Sequence, residues 1–382
     1  MITVCQLTTV HNRYDVRILN KISISLQQNG YQVFLLVADQ KPNEIYQGVN
    51  IISTNFFTKN RLLRLLFAKK KLLKKAKEID AEIYHFHDPE LLPVGVKLAK
   101  LGKKVVYDSH EDYPSTMLEK KYIPKCFRKL VSLFFEKYEK KACGYFKGLS
   151  LCYHWTYDRL KPYCQNAELI FNFPVLPANI NTLIPNYQSR AIAYTGGISP
   201  QWHIADIIEA IEEIEDITFI LATNRANEEY LTRLRNLKGW EKVNYLGSVK
   251  HLSLYEEVFS QTSVGVALLD YIPQCKGHIG NLSNTKLFEY LLMGLPVVCT
   301  DFDLWKEIIE KENCGICINP YQIEEIKQSI IQLISNPELA QQMGQNGQRA
   351  VIEKYNWKTE EAKLLSLYEK IVLKKKNYFC RS

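Results

Sequence analysis

The stretch NLSNTKLFEYLLMGLPVV, residues 281–298, contains a helix pattern that ends abruptly where a predicted buried strand begins. Its apolar residues recur at helical spacing and predict one inward-facing side: Leu287, Phe288, Leu291 and Leu292. Lys286 and Glu289 lie about one turn apart on another side, and Gly294 and Pro296 end the helix. Taken alone, this pair fits an exposed ion pair, which stabilises little, as well as it fits a binding site.

Strand-like runs alternate with helix patterns in two separate parts of the chain. The strand patterns lie at ITVCQLTTV, YQVFLLVA, AEIYHFH and KKVVYDSH in the first part, and at AIAYTGG, ITFILA, KVNYLG, VGVALL, LPVVCT and CGICIN in the second. This alternation predicts right-handed crossovers and two parallel sheets, and a length of 382 residues exceeds what one core usually supports. We predict domains at 1–175 and 189–354 around a proline-rich linker at 171–188, and a final helix in 355–382.

Charge and cysteine content narrow the class of protein. Residues 1–180 carry 28 basic and 16 acidic side chains, whereas residues 181–382 carry 21 and 25. The basic first half indicates a polyanionic partner, either nucleic acid or an anionic lipid surface. Ten scattered cysteines without a signal peptide predict reduced thiols inside the cell, and no apolar run reaches the roughly 18 residues that span a bilayer.

Titratable residues follow several predicted strands of the first half. After the first, third and fourth strand patterns come His11 and Arg17, His87 and Asp88, and His110 and Glu111. Ligands of parallel sheets bind at the carboxyl ends of the strands, so we expect these residues to share one rim. Such residues could bind a metal ion, or could orient and hydrogen-bond a substrate without one.

The second half offers a phosphate-binding pattern. Gly196 and Gly197 follow a strand and precede a helix, which would let the backbone approach an anion. An ammonium group at Lys286 suits phosphate oxygens, and a carboxylate at Glu289 can accept hydrogen bonds from both ribose hydroxyls.

Together, HFHDPE, YDSHE, YTGGIS, NTKLFEYLLMGLPVV and NWKTEEAKLLSLYEKI resemble the retaining glycosyltransferases of family four over nearly the whole chain. The resemblance implies the GT-B fold, with two facing Rossmann-like domains and a C-terminal helix that crosses back to the first. It also implies that the C-terminal domain binds the nucleotide-sugar donor and the N-terminal domain binds the acceptor.

The resemblance also assigns roles to residues. It places Lys286 and Glu289 at the donor, His110 near the transferred sugar, and His87 and Asp88 at the acceptor. From the residues themselves we add Gly196, Gly197 and Asn281 to the donor group, Glu111 to the catalytic group, and His11 and Arg17 to the acceptor group. Within the donor group, Lys286 would bind the diphosphate and Glu289 the ribose. The family pattern implies retention of configuration without a bound metal or cofactor.

Three positions depart from the family pattern. Asn281 stands where the family has the first acid of E-x7-E, and Gly197 and Trp202 stand where it usually has basic residues. As substitutes for that charge the sequence offers His203, Arg225 or Lys276, or a stacking role for Trp202. In place of a glycine-rich loop, the segment after the first strand has basic residues that could contact an acceptor phosphate, Arg13 or Arg17.

Two basic segments, 60–79 and 120–141, have the pattern of interfacial helices on anionic lipid. For 60–79 we favour packing of the apolar side on the sheet, because the segment occupies a crossover position. We therefore expect a cytoplasmic protein that associates peripherally with the inner face of the membrane.

The function predicted from these features is transfer of a sugar from a nucleotide diphosphate to a glycan or lipid-linked acceptor in cell-surface polysaccharide biosynthesis. A nucleotide-sugar epimerase and a binding protein without turnover are the alternatives. Nucleic acid is not expected as a partner, because no base-stacking motif is present.

Overall fold

The computed structural model describes residues 1–373 except 59, 61–62, 121, 224–225 and 251–252. It divides into two compact units. Unit 1 comprises Met1–Asn172 and Trp357–Ser382, and unit 2 comprises Phe173–Asn356. The first border between the units falls inside the predicted linker at 171–188.

The strands are numbered through both units. They are β1 Thr3–Thr8, β2 Gln32–Val37, β3 Glu44–Tyr46, β4 Val49–Ser53, β5 Ile83–Phe86, β6 Lys104–Ser109, β7 Gly148–Leu151, β8 Ala167–Leu169, β9 Ala191–Thr195, β10 Thr218–Ala222, β11 Val243–Gly247, β12 Val264–Ala267, β13 Val297–Thr300 and β14 Gly315–Ile318.

The α-helices are numbered in the same way. They are α1 Ile24–Gln28, α2 Lys69–Ile79, α3 Leu92–Lys100, α4 Tyr113–Glu119, α5 Lys125–Cys143, α6 His154–Leu160, α7 Ile204–Ile211, α8 Glu228–Arg235, α9 Leu254–Glu257, α10 Thr285–Leu292, α11 Asp303–Glu312, α12 Ile323–Ile334, α13 Pro337–Glu353 and α14 Trp357–Leu373. Two π-helical segments, Val16–Ser23 and Arg64–Ala68, lead into α1 and α2.

Unit 1 contains an eight-stranded sheet in the order β3-β4-β2-β1-β5-β6-β7-β8. All neighbouring strands pair in parallel except β3 and β4, which form an antiparallel edge. The β3–β4 hairpin, β7 and β8, whose sequences EIY, VNIIS, GLSL and AEL mix polar and apolar residues, were not predicted. Consequently His87 and Asp88 follow the fifth strand rather than the third, and His110 follows the sixth rather than the fourth.

Helix α14 completes the core on one face of the first sheet. Its buried side chains Leu364, Leu367 and Tyr368 join a cluster formed by strands β1, β2 and β4 and by the helix that starts at residue 16. The indole of Trp357 donates a hydrogen bond of 2.9 Å to Ser25 Oγ. The final helix therefore belongs to the N-terminal unit, as the crossing-back arrangement requires.

Unit 2 contains a six-stranded parallel sheet in the order β11-β10-β9-β12-β13-β14. All six strands were predicted, because each is a run of mainly apolar residues bounded by turn signals. Its core lies between the sheet and helices that include α7, α8 and α12. The two parallel-sheet α/β units confirm the predicted fold class.

Helix α10 also matches its prediction. The Asn284 side chain caps its start by accepting a hydrogen bond from the Lys286 N–H. At its end Gly294 has a φ of 78°, which glycine tolerates, and Leu295 N–H returns to the Tyr290 carbonyl at 3.0 Å. These two features terminate the helix before β13, where the sequence places the glycine and proline.

Candidate active-site residues in the two units

Asp108 at the end of β6 lies at the centre of a buried polar network in unit 1. Its carboxylate accepts two hydrogen bonds from Arg17, at 2.9 and 2.7 Å, and others from Ser150 Oγ at 2.7 Å and His87 Nδ1 at 3.0 Å. Burial would raise the pKa of Asp108, but the charge and hydrogen bonds of Arg17 lower it well below 3.8. The ion pair is therefore charged inside the unit.

The network continues to the final helix. His87 Nε2 lies 2.8 Å from Gln6 Oε1, and the Tyr368 hydroxyl contacts both Gln6 Nε2, at 3.4 Å, and His85 Nδ1, at 2.9 Å. Burial lowers the pKa values of both histidines, although the hydrogen bond with Asp108 opposes this shift for His87. Gln6 and Tyr368 carried no motif, because only the fold brings them beside the histidines.

Three members of this network, His85, His87 and Asp108, have possible metal-ligand atoms within 4.8 Å of one another. Both nitrogens of His87 already have hydrogen-bond partners, and Asp108 is paired with the guanidinium of Arg17. A cation bound there would face that guanidinium at short range. The donor set therefore fits a hydrogen-bond network better than a metal site.

The structure places three predicted acceptor residues in internal bonds. Arg17 is 5% exposed and paired with Asp108, and His87 is fully buried. Asp88 accepts hydrogen bonds from Thr9 N–H and from the Thr9 hydroxyl, and thereby fixes the loop after β1. Arg13 is likewise paired with carboxylates rather than open to a phosphate.

His11 and His110 are the more accessible members of the rim. His11 Nδ1 lies 3.0 Å from Asp15 and Nε2 lies 3.5 Å from Asp88, and its ring meets that of His110 edge-on at 5.1 Å. Burial would lower the pKa of His11, but the hydrogen bond with Asp15 and the neighbouring carboxylates raise it to about 9. His11 is therefore a cation at neutral pH.

His110 connects this rim to the buried network. Its Nδ1 lies 3.4 Å from Oδ2 of Asp108, and its side chain is partly exposed. Glu111 follows it, also partly exposed, at the start of the turn that leads to α4. The structure thus brings His11, His110 and Glu111 to the carboxyl edge of β1 and β6.

In unit 2, Gly196 and Lys286 are in direct contact at the end of β9. Gly196 has a φ of 134°, and a Cβ atom there would lie 2.3 Å from Lys286 Cε. The Tyr290 hydroxyl accepts the Thr195 N–H at 2.8 Å, which holds α10 against the same turn. A side chain at 196 would displace the end of Lys286, and the backbone there is strained for any residue other than glycine. Tyr290 positions the turn, a role that the sequence did not indicate.

Trp202 holds the Lys286 ammonium group. Lys286 Nζ lies 3.5 Å from the centroid of the Trp202 ring, a short cation–π contact. Burial lowers the pKa of Lys286 to about 8, against the opposing charge of Glu289. The family pattern has a basic residue at position 202. Trp202 instead contacts the ammonium group of Lys286 on helix α10.

The proposed substitutes for the missing basic residue are placed differently. His203 Nδ1 lies 2.7 Å from Asp206 and Nε2 lies 2.9 Å from Asp270. Burial would lower the pKa of His203, but these carboxylates raise it, and the ring is held by two internal ion pairs. Lys276 lies in a left-handed turn with a φ of 53°, and Arg225 is outside the described residues.

Asn281 organises its own loop. Its side-chain Nδ2 donates to Cys275 Sγ at 3.3 Å, and its side-chain Oδ1 accepts the Ser283 N–H at 3.1 Å. Its backbone carbonyl accepts a hydrogen bond from the Trp305 indole at 2.7 Å. The amide group provides both a donor and an acceptor for these bonds, which a carboxylate could not do. Gly197 contributes its carbonyl to the Tyr194 hydroxyl at 2.7 Å.

The contact between Gly196 and Lys286 predicts a coupled effect on stability. We expect Gly196→Ala to lower the free energy of unfolding by about 1–3 kcal/mol, because the methyl group collides with Lys286. In Gly196→Ala/Lys286→Ala the collision is gone, so the double variant should lose less than the sum of the single variants, by about 0.5–3 kcal/mol. Urea denaturation measures all three.

Gly247→Ala is the matched control for backbone strain, since Gly247 has a φ of 65° and open space around its Cα. It should show no such coupling to Lys286→Ala. Additive losses in the Gly196 series would contradict the contact.

The environment of His11 predicts an unusual titration. NMR of the imidazole protons should give a midpoint near pH 9 for His11, because Asp15 and Asp88 stabilise its charged form. Asp15→Asn keeps an oxygen to cap the following helix but removes the charge, and should lower the midpoint by about one unit or more. A midpoint near 6.5 in the unmodified protein would be incompatible with this geometry.

Comparisons with known proteins agree with these two units. Residues 180–350 match the family model described as Glycosyl transferases group 1, and residues 16–172 match the one described as Glycosyltransferase Family 4. Alpha-D-kanosaminyltransferase of Streptomyces kanamyceticus is 24% identical over 187 residues, which are 48% of this chain and 46% of that protein. The MMP alpha-(1->4)-mannosyltransferase of Mycolicibacterium hassiacum is 24% identical over 85 residues, 22% of this chain and 21% of that protein. The chain thus matches less than half the length of these curated relatives.

Solved structures show the same fold over almost the whole chain. Sucrose-phosphate synthase from Thermosynechococcus elongatus has a TM-score of 0.72 at 15% identity, covering 97% of this chain and 99% of its own. Anabaena HepE, in a complex with UDP and glucose, has a TM-score of 0.68 at 13% identity, covering 97% and 100%. One glycosyltransferase family model thus matches each unit, and the chain shares the fold of solved GT-B glycosyltransferases.

Proposed function

We propose that this protein transfers a sugar from a nucleotide diphosphate sugar to a saccharide or lipid-linked saccharide acceptor. The observation that carries the proposal is the Lys286 ammonium group, which lies against Gly196 at the carboxyl end of β9 and is held by Trp202. A partly buried cation beside a glycine turn suits a diphosphate, because desolvation strengthens the attraction between their charges.

The rest of the donor assignment follows from the same helix. Glu289 lies one turn after Lys286 on α10 and would accept hydrogen bonds from the ribose hydroxyls. Asn281, with its amide engaged in the loop, would offer the sugar its remaining hydrogen-bonding capacity and no charge. HepE has been solved with UDP and with UDP-glucose, and TarM of S. aureus with UDP, which supports a nucleotide donor for this fold.

On the acceptor side, the proposal uses the rim of unit 1. His110 would contact the transferred sugar, and the cationic His11 would attract an anionic group of the acceptor. In the proposed reaction the acceptor hydroxyl attacks the anomeric carbon on the face from which the diphosphate leaves. Because attack and departure occur on the same face, the configuration is retained. A leaving phosphate oxygen takes the hydroxyl proton, and the proposed reaction uses no metal or cofactor. Cell-surface polysaccharide synthesis at an anionic membrane is the proposed setting.

A binding protein without turnover is the second candidate. Gly197 and Trp202 reduce the positive charge near the predicted diphosphate, and Asn281 brings no carboxylate. Against this candidate stands the ordered Asp108 network behind His110, which a protein that only binds nucleotide would not need for that purpose.

A panel of nucleotide sugars tests the proposal. Each donor is incubated with the protein, with and without short saccharide acceptors, while nucleotide release and donor isomers are followed. Release that depends on acceptor is the expected result. Isomers of the donor would indicate an epimerase. Binding of the nucleotide sugar with neither product would indicate the binding protein without turnover.

The lowered pKa of Lys286 predicts the pH dependence of donor use. The ammonium group is charged below pH 8 and neutral above it, so kcat/KM for the nucleotide sugar should fall as the pH rises through about 8. Lys286→Arg keeps its charge throughout this range and should remove the decline, whatever its absolute rate. The same decline in both proteins would remove Lys286 from the donor site.

A further inference from the structure

The outward face of helix α5 (Lys125–Cys143) carries a continuous apolar stripe. The exposed fractions are 55% for Phe127, 50% for Leu130, 36% for Val131, 65% for Phe134 and 42% for Tyr138. These positions are three or four residues apart or adjacent, so they lie on one side of the helix. Exposed apolar surface of this extent on one helix marks an interaction site.

The opposite side of α5 is the one that packs on unit 1. Ser132 Oγ donates to the Pro114 carbonyl at 2.7 Å, and the buried Glu139 accepts hydrogen bonds from Tyr107, at 3.0 Å, and from Arg159, at 2.5 Å. Two small residues, Ala142 and Cys143, are buried on this side as well, and Phe135 packs partly buried against the core. The large apolar side chains of the stripe face away from these contacts, so packing within the unit does not explain the stripe.

The charges around the stripe are mainly positive. Helix α5 contains six basic residues and two acidic ones. Glu136 pairs with Lys140, and Glu139 pairs with Arg159. The exposed lysines are Lys125, Lys129, Lys137 and Lys141. Leu118 and Tyr122, both exposed, extend the apolar surface towards α4.

The other predicted interfacial helix differs from α5. In the segment 60–79, Leu72 and Ala76 of α2 are fully buried against the sheet, as predicted for the apolar side. Three apolar residues that precede α2 are exposed instead: Leu63, Leu66 and Phe67. Among the described residues, no helix is both long and apolar enough to cross a membrane. The exposed apolar surface of α5, which runs from Phe127 to Tyr138, is the longer of the two.

We propose that the α5 stripe inserts into the surface of an anionic phospholipid bilayer, with the flanking lysines at the headgroups. Apolar side chains flanked by free positive charge are complementary to such a surface, whose interior is apolar and whose surface is negative. This proposal rests on the membrane setting of the proposed function and names the helix face by which the protein would contact that membrane. Helix α4, which starts at Tyr113 three residues after His110, contributes Leu118 to this surface near its end.

Vesicle co-sedimentation of the full chain tests the face, with phosphatidylcholine alone or mixed with phosphatidylglycerol. We expect binding to the mixed vesicles that weakens with salt. Phe127→Ser/Phe134→Ser should lower the partition coefficient at least about tenfold, because two large apolar side chains no longer enter the bilayer. Lys129→Glu/Lys137→Glu should remove the preference for phosphatidylglycerol.

Lys70→Glu/Lys74→Glu on α2 is the matched control, since it makes the same charge change on exposed residues of the other basic helix. It should bind vesicles within about threefold of the unmodified protein. Equal losses in both charge variants would overturn the assignment, as would no vesicle binding by the unmodified protein. Dissociation of a dimer by the serine variant, seen by light scattering without an effect on vesicle binding, would instead make the stripe a self-association surface.

A second measurement does not depend on any apolar variant folding. Cys126 is exposed beside Phe127, so a polarity-sensitive fluorophore attached there should report an apolar environment when mixed vesicles are added. No spectral change would contradict insertion. Transfer to a water-soluble acceptor needs no lipid, so failure of vesicle binding would leave the transferase proposal unaffected.

Discussion

The buried ion pair between Arg17 and Asp108 is the interaction on which unit 1 depends. It joins the first helical segment to the central strand β6, and the same carboxylate orients His87 and lies behind His110. Loss of either partner would leave an unpaired charge in the interior, at a typical cost of about 3–5 kcal/mol. The chemical groups at the rim are thus positioned by a charge pair that is itself inaccessible to substrate.

Unit 2 also holds a charged group in a partly buried position, the ammonium group of Lys286. Its candidate site needs a cation that is partly removed from water, and an isolated ammonium group in that position would be unfavourable. The face of Trp202 supplies attraction without neutralising the charge, and Gly196 supplies the space for the side chain. The lysine is thereby held ready for an anion, whereas His203 is already occupied by two carboxylates.

Apolar runs bounded by turn signals predicted every strand of unit 2, and periodicity predicted α10. The pattern did not reveal β3, β4, β7 or β8, whose sequences EIY, VNIIS, GLSL and AEL mix polar and apolar residues. The strand patterns predicted that His11, His110 and Gly196 follow strands, and in the structure they follow β1, β6 and β9. These patterns could not show that Arg17 and Asp88 are engaged internally, or that Trp202 stacks on Lys286, because these contacts depend on tertiary distances between distant segments.

The position of α14 also has a consequence for synthesis of the chain. Tyr368 contacts Gln6 across 362 positions, so the interior of unit 1 stays incomplete until the final helix leaves the ribosome. Unit 2, from Phe173 to Asn356, is continuous and can fold earlier. At about 5–20 residues per second, this delay is on the order of 10–40 s. During that time one face of the first sheet would be covered only in part, by the helix that starts at residue 16, and this half of the nascent protein would be the one most in need of chaperones.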